Sequence, residues 1–297
     1  MFFSEPCSQA SEIARRVSLA SISPVIATSI LISVLGFYDD FTELSAFHKY
    51  IILTFLITML VYSFYLNGTN DFIILNLNGF LGINEVNVVV GFIFTSFVYL
   101  SIMNAINLTD GIDGYLAIFS IFFFISFLFI NDINNFYTLT SISVIIIASS
   151  LTFLRYNFSK SGKKLFVGDA GSLFIGFWMS YLLINYITSG PKSNIVDVFS
   201  IKLENLPVIA ISLIFIPVLD TIRVMFNRIL SRKSPFTADR NHLHHLLLDS
   251  GMTHLRTSFT LTFINFFCCI LLFLIEPYFN SKELTLAYII LSFIWFF

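Results

Sequence analysis

The chain has 297 residues, of which 57% are hydrophobic and only 11% are charged. Soluble domains carry about 25% charged residues, and a core this rich in Phe, Ile and Leu would have almost no charged shell to keep it dissolved. The composition therefore excludes a soluble fold and predicts an integral membrane protein. The formal net charge of −2 identifies no partner, because the positions of the charges matter more than their sum, and we expect no nucleic-acid partner.

Nine apolar segments are candidates for helices that cross a bilayer, whose hydrocarbon core needs about 20 residues per helix. They lie at about 19–37, 47–66, 86–104, 114–131, 137–154, 172–189, 205–222, 257–276 and 283–297. The pattern predicts an all-α fold, a polytopic helical bundle over residues 19–297 that follows a polar amino-terminal segment at 1–18. The polar interruption at about 223–256 is predicted to be the only segment able to form a small element outside the membrane.

The loops between nine spans alternate between the two sides of the membrane. One side receives the loops at 38–46, 105–113, 155–171 and 223–256. Together with Lys49, just after the first loop, they hold eleven Lys and Arg residues against five on the other side. Because cytoplasmic loops carry the excess of Lys and Arg, these four loops are predicted to face the cytoplasm. Arg15 and Arg16 count against this orientation, since parity places them on the opposite side.

The first of four polar motifs in these loops comprises residues 36–40 and ends in Asp39 and Asp40. Two adjacent carboxylates beside hydrocarbon are costly unless cations pair with them. A solvated helix end that sets the topology would explain the pair as well as a functional site would. Both interpretations stay open for this motif alone.

The second motif, residues 104–114, joins the third and fourth predicted spans. It contains Asn104, Asn107, Asp110, Gly111, Asp113 and Gly114. Glycine lets the main chain approach a ligand closely, and amides with carboxylates can hold a nucleotide or a hydrated metal. A tight turn also uses Asx and Gly, but it does not need four polar side chains of this kind, so function is favoured.

The third motif, residues 168–172, centres on Asp169 just before the sixth predicted span. A carboxylate between glycines at a helix amino terminus is well placed to carry Mg²⁺ to a phosphate, because Mg²⁺ uses one or two protein carboxylates and fills its other positions with water and phosphate oxygens. Free N–H groups and the helix dipole would add attraction for the anion. Ser172 is equally well explained as the helix cap.

The fourth motif, residues 239–245, holds three imidazoles, His242, His244 and His245, beside Arg240. The spacing lacks the i, i+4 histidine pair of a helical zinc site and has no cysteine partner. Hydrogen bonding to phosphate oxygens, or proton transfer, suits the cluster better.

Asp220 is a carboxylate inside the seventh predicted span, and such residues are functional candidates by default. Arg223 lies one helical turn further on and is positioned to pair with it. We expect Asp220 to hold other residues of the site in place rather than to take part in the chemistry.

Taken in this order, the motifs resemble those of the polyprenyl-phosphate N-acetylhexosamine-1-phosphate transferases, a superfamily that includes the GlcNAc-1-phosphate initiators and the phospho-MurNAc-pentapeptide translocase. Asp39-Asp40 is similar to the acidic pair of that family, and residues 104–114 match its NxxNxxDGxDG signature at every fixed position. Residues 168–172 match GDxGS, and residues 242–245 match HxHH in the form typical of the GlcNAc-type initiators.

The resemblance implies transfer of a HexNAc-1-phosphate, most simply GlcNAc-1-phosphate, from a UDP-N-acetylhexosamine to undecaprenyl phosphate with release of UMP. This step would initiate a lipid-linked cell-surface glycan in the cytoplasmic (inner) membrane, with the site facing the cytoplasm. The implied cofactor is Mg²⁺, or Mn²⁺ in its place, and dimers are common in the family, so a homodimer is a further expectation. The implied roles are catalysis by Asp39, Asp40, Asp169, His244 and His245; substrate binding by Asn104, Asn107, Asp110, Asp113, Arg240 and His242; and metal binding by Asp169 with Asn107.

The chain departs from this family at its amino terminus. The family has additional spans and a PxxGG element ahead of the acidic pair, and we expect the corresponding helices to be missing here, through a misassigned start codon or a truncated paralogue.

Three other classes stay open. An ion or proton transporter also places carboxylates in membrane helices, but near the midplane and with repeat symmetry. An intramembrane prenyltransferase would need two similar Asp-rich motifs and no histidine cluster. A truncated, inactive paralogue would act as a membrane scaffold.

Overall fold

A computed structural model describes residues 19–69, 72–130, 137–159, 164–189, 201–234 and 241–296, and within these ranges the chain is a helical bundle. Its helices are α1 (Leu19–Thr42), α2 (Ala46–Leu66), α3 (Val88–Asn107), α4 (Tyr115–Ile130), α5 (Tyr137–Asn157), α6 (Gly168–Ser189), α7 (Leu206–Ser212), α8 (Phe215–Leu230), α9 (Leu243–Asp249), α10 (His254–Ile275) and α11 (Ser281–Phe296). The predicted polar segment at 1–18 lies outside the described residues.

The helices confirm the predicted fold class. Each of the nine predicted spans overlaps a helix of the described residues, and six described helices are long and apolar enough to cross a membrane. The pair α7 and α8 makes a seventh span if it is taken as one bent unit, whereas α4 is a shorter apolar helix of 16 residues. The chain is therefore a multi-pass membrane protein, and nine as the number of spans stays a prediction.

Helix α6 lies at the centre of the bundle. It packs against α1 and α3, and most of its side chains between Ser172 and Ser189 are buried. Aromatic rings stabilise this core, since Tyr181 stacks on Phe72 with ring centroids 5.0 Å apart. Because α6 begins at the third motif while α1 and α3 end at the first and second, this packing brings three motifs to one end of the bundle.

The contact between α1 and α6 depends on a glycine. A Cβ atom on Gly36 would lie 2.6 Å from the Cα and N atoms of Ala170, which is closer than non-bonded atoms approach. A larger residue at this position would force the two helices apart. Gly36 therefore allows the end of α1, with Asp39 and Asp40, to lie directly beside the first turn of α6.

The predicted span at 205–222 is broken, since α7 and α8 meet at a bend of 73°. Pro217 explains the break, because it has no N–H to donate and its ring would clash with the carbonyl of Leu213 in a continuous helix. Asn265 on α10 satisfies the interrupted backbone: its Nδ2 donates to the Leu213 carbonyl at 3.0 Å, and its Oδ1 accepts from the Ile216 N–H at 2.8 Å. Such compensation is needed because unpartnered backbone groups are costly within a membrane.

A β-hairpin is the element that the sequence analysis did not predict. Strands β1 (Asn76–Phe80) and β2 (Ile83–Glu85) pair antiparallel between the ends of α2 and α3 that lie away from the motifs. Leu81 and Gly82 join the strands with positive φ angles, as a type I′ turn requires. The prediction named 223–256 as the only segment able to form a small element outside the membrane, and it missed this second small element between two spans. The signal was available, because Asn76, Asn78, Asn84 and Glu85 interrupt the apolar residues of this stretch.

Candidate active site

Lys49 lies at the centre of the site that the motifs form. Its Nζ atom is 2.9 Å from Asp39 Oδ2 and also contacts Asp169 Oδ2. Only three residues separate α1 from α2, so the first turn of α2 faces the end of α1. Asp39 also accepts a 2.7 Å hydrogen bond from the Leu44 N–H, and its side chain is only 9% exposed. Asp39 therefore has the cation that a carboxylate near hydrocarbon needs, which a purely solvated helix end would not require.

Asn107 holds the other oxygen of Asp169. Its Nδ2 donates to Asp169 Oδ1 at 2.9 Å and to Ser172 Oγ at 2.7 Å. The first, second and third motifs thus meet in one network in which Lys49 and Asn107 each bond one carboxylate oxygen of Asp169. The amide nitrogen of Asn107 positions Asp169 here, and a role for Asn107 in metal binding stays a prediction.

Asp40 caps the amino terminus of α6. Its Oδ1 accepts from the Asp169 N–H at 2.9 Å, and its Oδ2 accepts from the Ala170 N–H at 3.5 Å. The expectation that these N–H groups are free for a phosphate is therefore wrong, because a carboxylate from α1 already occupies them and gains from the helix dipole. A Cβ atom on Gly168, which has a φ of +65°, would lie 2.6 Å from Asp40 Oδ2. The glycine makes room for this cap.

The remaining polar residues of the second motif point in different directions. Asn104 Oδ1 accepts a hydrogen bond from the Tyr50 hydroxyl. Asp110 lies within electrostatic range of the carboxylates of Asp40 and Asp169, so it belongs to the central acidic group. Asp113 faces α10 instead, with its Oδ2 2.5 Å from Lys164 Nζ and 3.4 Å from His254 Nδ1. Asp113 is therefore already paired, at the edge of the site.

The histidines of the fourth motif lie at the start of α9, where His242 is the cap residue. The rings of His242 and His244 are nearly parallel with centroids 5.6 Å apart, and His245 packs on His244 at 4.3 Å. A Cβ atom on Gly111 would lie 2.9 Å from His244 Cε1, so a glycine of the second motif makes room for an imidazole of the fourth. All four motifs therefore meet, although Asp239 and Arg240 lie outside the described residues.

His244 is 3% exposed, and its Nε2 has no hydrogen-bond partner among the described residues. Burial, and then the neighbouring His245, lower the pKa of His244 to about 4. His244 is therefore neutral at physiological pH. Whatever it contacts, it does so as an uncharged donor or acceptor, and its predicted contact with phosphate stays a prediction.

The donor set around Lys49 fits a hard cation. The described segments hold no group of three or more His, Cys, Asp or Glu side chains arranged to bind a metal. Asp39 and Asp169 nevertheless converge on one cation, the ammonium of Lys49. Mg²⁺ takes oxygen ligands and commonly uses only one or two protein carboxylates, so Asp169 with Asp39 is a fitting pair.

Lys49 and Tyr50 are the residues of the site that the sequence analysis missed. Lys49 entered the prediction only as one of the charges that set the topology. The available signal was its position in the first turn of α2, since only three residues separate α2 from a helix whose last turn carries two carboxylates. Because antiparallel neighbours joined by a short loop place these ends together, that position predicts an ion pair.

The chain belongs to glycosyl transferase family 4, because the family model matches residues 22–187, more than half of the chain. Three curated relatives illustrate what it is similar to. It is 34% identical over 168 residues to the undecaprenyl-phosphate alpha-N-acetylglucosaminyl 1-phosphate transferase of Escherichia coli K12, a match that covers 55% of this chain and 42% of the relative.

It is also 34% identical over 167 residues to a probable undecaprenyl-phosphate N-acetylglucosaminyl 1-phosphate transferase of Bacillus subtilis, covering 56% of this chain and 43% of the relative. A decaprenyl-phosphate N-acetylglucosaminephosphotransferase of Mycobacterium leprae is 35% identical over 169 residues, covering 53% and 41%. The chain thus matches less than half the length of each of these relatives.

Proposed function

We propose that this protein transfers N-acetylhexosamine-1-phosphate, and specifically GlcNAc-1-phosphate, from a UDP-sugar to undecaprenyl phosphate and releases UMP. The observation that carries the proposal is the network of Asp39, Lys49, Asp169 and Asn107, in which three separate motifs contribute to one charged centre. The names of the family relatives support the sugar and the lipid acceptor.

The reaction is a substitution at phosphorus. An oxygen of the lipid phosphate attacks the β-phosphorus of the UDP-sugar, and the bond from that phosphorus to the UMP oxygen breaks. UMP carries the electron pair away, while the sugar keeps its phosphate. Catalysis of such a step rests mainly on positioning and on neutralising the phosphate charge.

Asp169 is the proposed principal ligand of Mg²⁺, with Asp39 or Asn107 beside it. A bound Mg²⁺ would supply charge neutralisation at the pyrophosphate oxygens and at the UMP leaving group. The Lys49 ammonium is proposed to bind a phosphate oxygen when substrate enters between the carboxylates. Asp39 orients the lipid phosphate rather than deprotonating it, because a phosphate monoester with a second pKa near 6 is largely ionised at neutral pH.

The remaining polar residues complete the proposed substrate contacts. Asn104, Asp110 and Asp113 would hold the uridine side, and His242, His245 and Arg240 the phosphates. Asp40 fits a positioning role better than a catalytic one, since both of its oxygens accept N–H groups of α6. The site is proposed to face the cytoplasm, where UDP-sugars are found.

The test is UMP release by the purified full chain in lipid with UDP-GlcNAc and undecaprenyl phosphate. Release should need both substrates and Mg²⁺, and Asp169→Asn should abolish it while the exposed-residue control Glu85→Gln leaves it unchanged. Wild-type rates in Asp169→Asn would overturn the metal assignment. Absence of release by the wild-type chain would overturn the proposed function and leave the scaffold interpretation.

A further inference from the structure

A cluster of buried hydrogen bonds joins α8 to the histidine segment, behind the charged centre. Asp220 Oδ1 accepts from Arg223 Nη2 at 2.8 Å and from the Leu243 N–H at 3.0 Å, and Asp220 Oδ2 is 2.9 Å from His242 Nδ1. Arg223 also donates to the Asn241 carbonyl. Asp220, Arg223 and His242 are 8%, 8% and 5% exposed.

These contacts exceed what an ion pair on one helix requires. Arg223, three residues after Asp220, supplies an opposite charge from the same helix to one oxygen of the buried carboxylate. The bonds from the Leu243 N–H and from His242 Nδ1 come from outside α8. They hold residues 241–243, the start of the fourth motif, against α8.

We infer that Asp220 is a positioning residue that acts through His242: it fixes the imidazole and sets which ring nitrogen is available to substrate. A carboxylate only accepts hydrogen bonds, so His242 Nδ1 must carry a proton. The other nitrogen, Nε2, is then the ring nitrogen left for contact with the substrate. Asp220 and Arg223 clamp three consecutive residues of the motif, so the ring position does not depend on water.

Asn at position 220 would keep the size of the Asp220 side chain but weaken its hydrogen bonds to His242 and Leu243. Asn has one oxygen acceptor instead of two, and its NH₂ group would face either His242 Nδ1 or the two donors at Oδ1. The ring of His242 would then lose its fixed tautomer. Removing such a support behind a functional group typically lowers activity about 10-fold to 100-fold.

The first test is a double-mutant cycle on the proposed transferase activity, on which this inference rests. In full-length protein in lipid, Asp220→Asn should lower kcat by about 10-fold to 100-fold with little change in KM. In a His242→Ala background the same substitution should cost no more than about twofold, because the residue through which it acts is gone. Glu85→Gln, a carboxylate-to-amide change on exposed β2, is the matched control.

Equal losses from Asp220→Asn in both backgrounds, with a matching fall in folded protein, would overturn the inference and leave the proposed function intact. No turnover by the wild-type chain would overturn both. A second measurement is independent of activity, and its decisive signal comes from the wild-type protein. The chain has five histidines, so ¹⁵N-histidine labelling with a His242→Ala difference spectrum isolates the His242 ring. At alkaline pH the wild type should show a protonated Nδ1, and a signal from the Nε2–H tautomer would overturn the inference.

Discussion

Replacing Lys49 with Met tests whether its ammonium holds two carboxylates together. Lys49 contacts both Asp39 and Asp169, and the exposed fraction of its side chain is only 15%. Met keeps most of the apolar stem and removes the charge. The two carboxylates would then face each other without a cation.

The expected loss follows from the burial of these groups. Removing one partner of a buried ion pair costs about 3 to 5 kcal/mol, and the lower end applies because the Asp169 side chain is 31% exposed. For a chain of this size each kcal/mol corresponds to about 2 to 4 °C in the unfolding midpoint. A loss of about 3 kcal/mol therefore lowers the midpoint by about 6 to 12 °C.

The assay is thermal unfolding in detergent, with and without Mg²⁺, for the wild type, Lys49→Met and the exposed control Lys282→Met. A cation present at 100 times its Kd stabilises by about 3 kcal/mol. Mg²⁺ should raise the midpoint of Lys49→Met more than that of the wild type, since no ammonium competes for the carboxylates. A midpoint for Lys49→Met within about 1 °C of the wild type, or an equal Mg²⁺ effect in both proteins, would refute this account of the charged centre.

Three further predictions concern stability. Asp40→Ala should cost about 1 kcal/mol through loss of the α6 cap, and Asp40→Asn should cost less; equal melting curves for Asp40→Ala and the wild type would contradict the capping role. Asn265→Leu should cost about 2 to 6 kcal/mol, because Leu213 O and Ile216 N–H both lose their partner, with faster amide exchange at Ile216; unchanged exchange would show that other groups satisfy the break. For His244, the folded pKa of about 4 lies below the ordinary 6.5, so its contribution to stability is complete above pH 6.5 and is lost as the pH falls toward 4. The loss of stability approaches about 3 kcal/mol. His244→Phe should therefore flatten the plot of melting temperature against pH between pH 6.5 and 4. The same plot for the variant and the wild type would refute the burial of a neutral imidazole.

The sequence predicted the spans and the motifs because both are local signals. An apolar run of about 20 residues identifies a membrane helix whatever it packs against, and the density of Asn, Asp and Gly in residues 104–114 is visible without a structure. Pro217 was also a visible signal of a helix break. It was missed because the apolar run from 205 to 222 was taken as one continuous helix.

The contacts within the site were beyond the sequence, because they join residues far apart in the chain. Lys49 and Asp169 are 120 positions apart, and no periodicity connects them. The motif glycines show the same limit. The glycines of the second motif were expected to let a ligand approach the backbone, whereas Gly111 makes room for the side chain of His244. In the third motif, Gly168 likewise makes room for Asp40. Only the three-dimensional packing, of α6 against α1 for Gly168 and of α9 against the second motif for Gly111, shows which side chain each glycine accommodates.

The path of the β-phosphorus tests the central claim most directly. Purified chain in lipid would receive UDP-GlcNAc labelled with ³²P at the β-position, together with undecaprenyl phosphate. The account predicts that the label moves into the organic-soluble lipid while unlabelled UMP is released, and that Asp169→Asn abolishes the transfer. Label that stays in the nucleotide, as released UDP, would mean that the sugar–oxygen bond breaks instead and would contradict the proposed transfer of sugar phosphate.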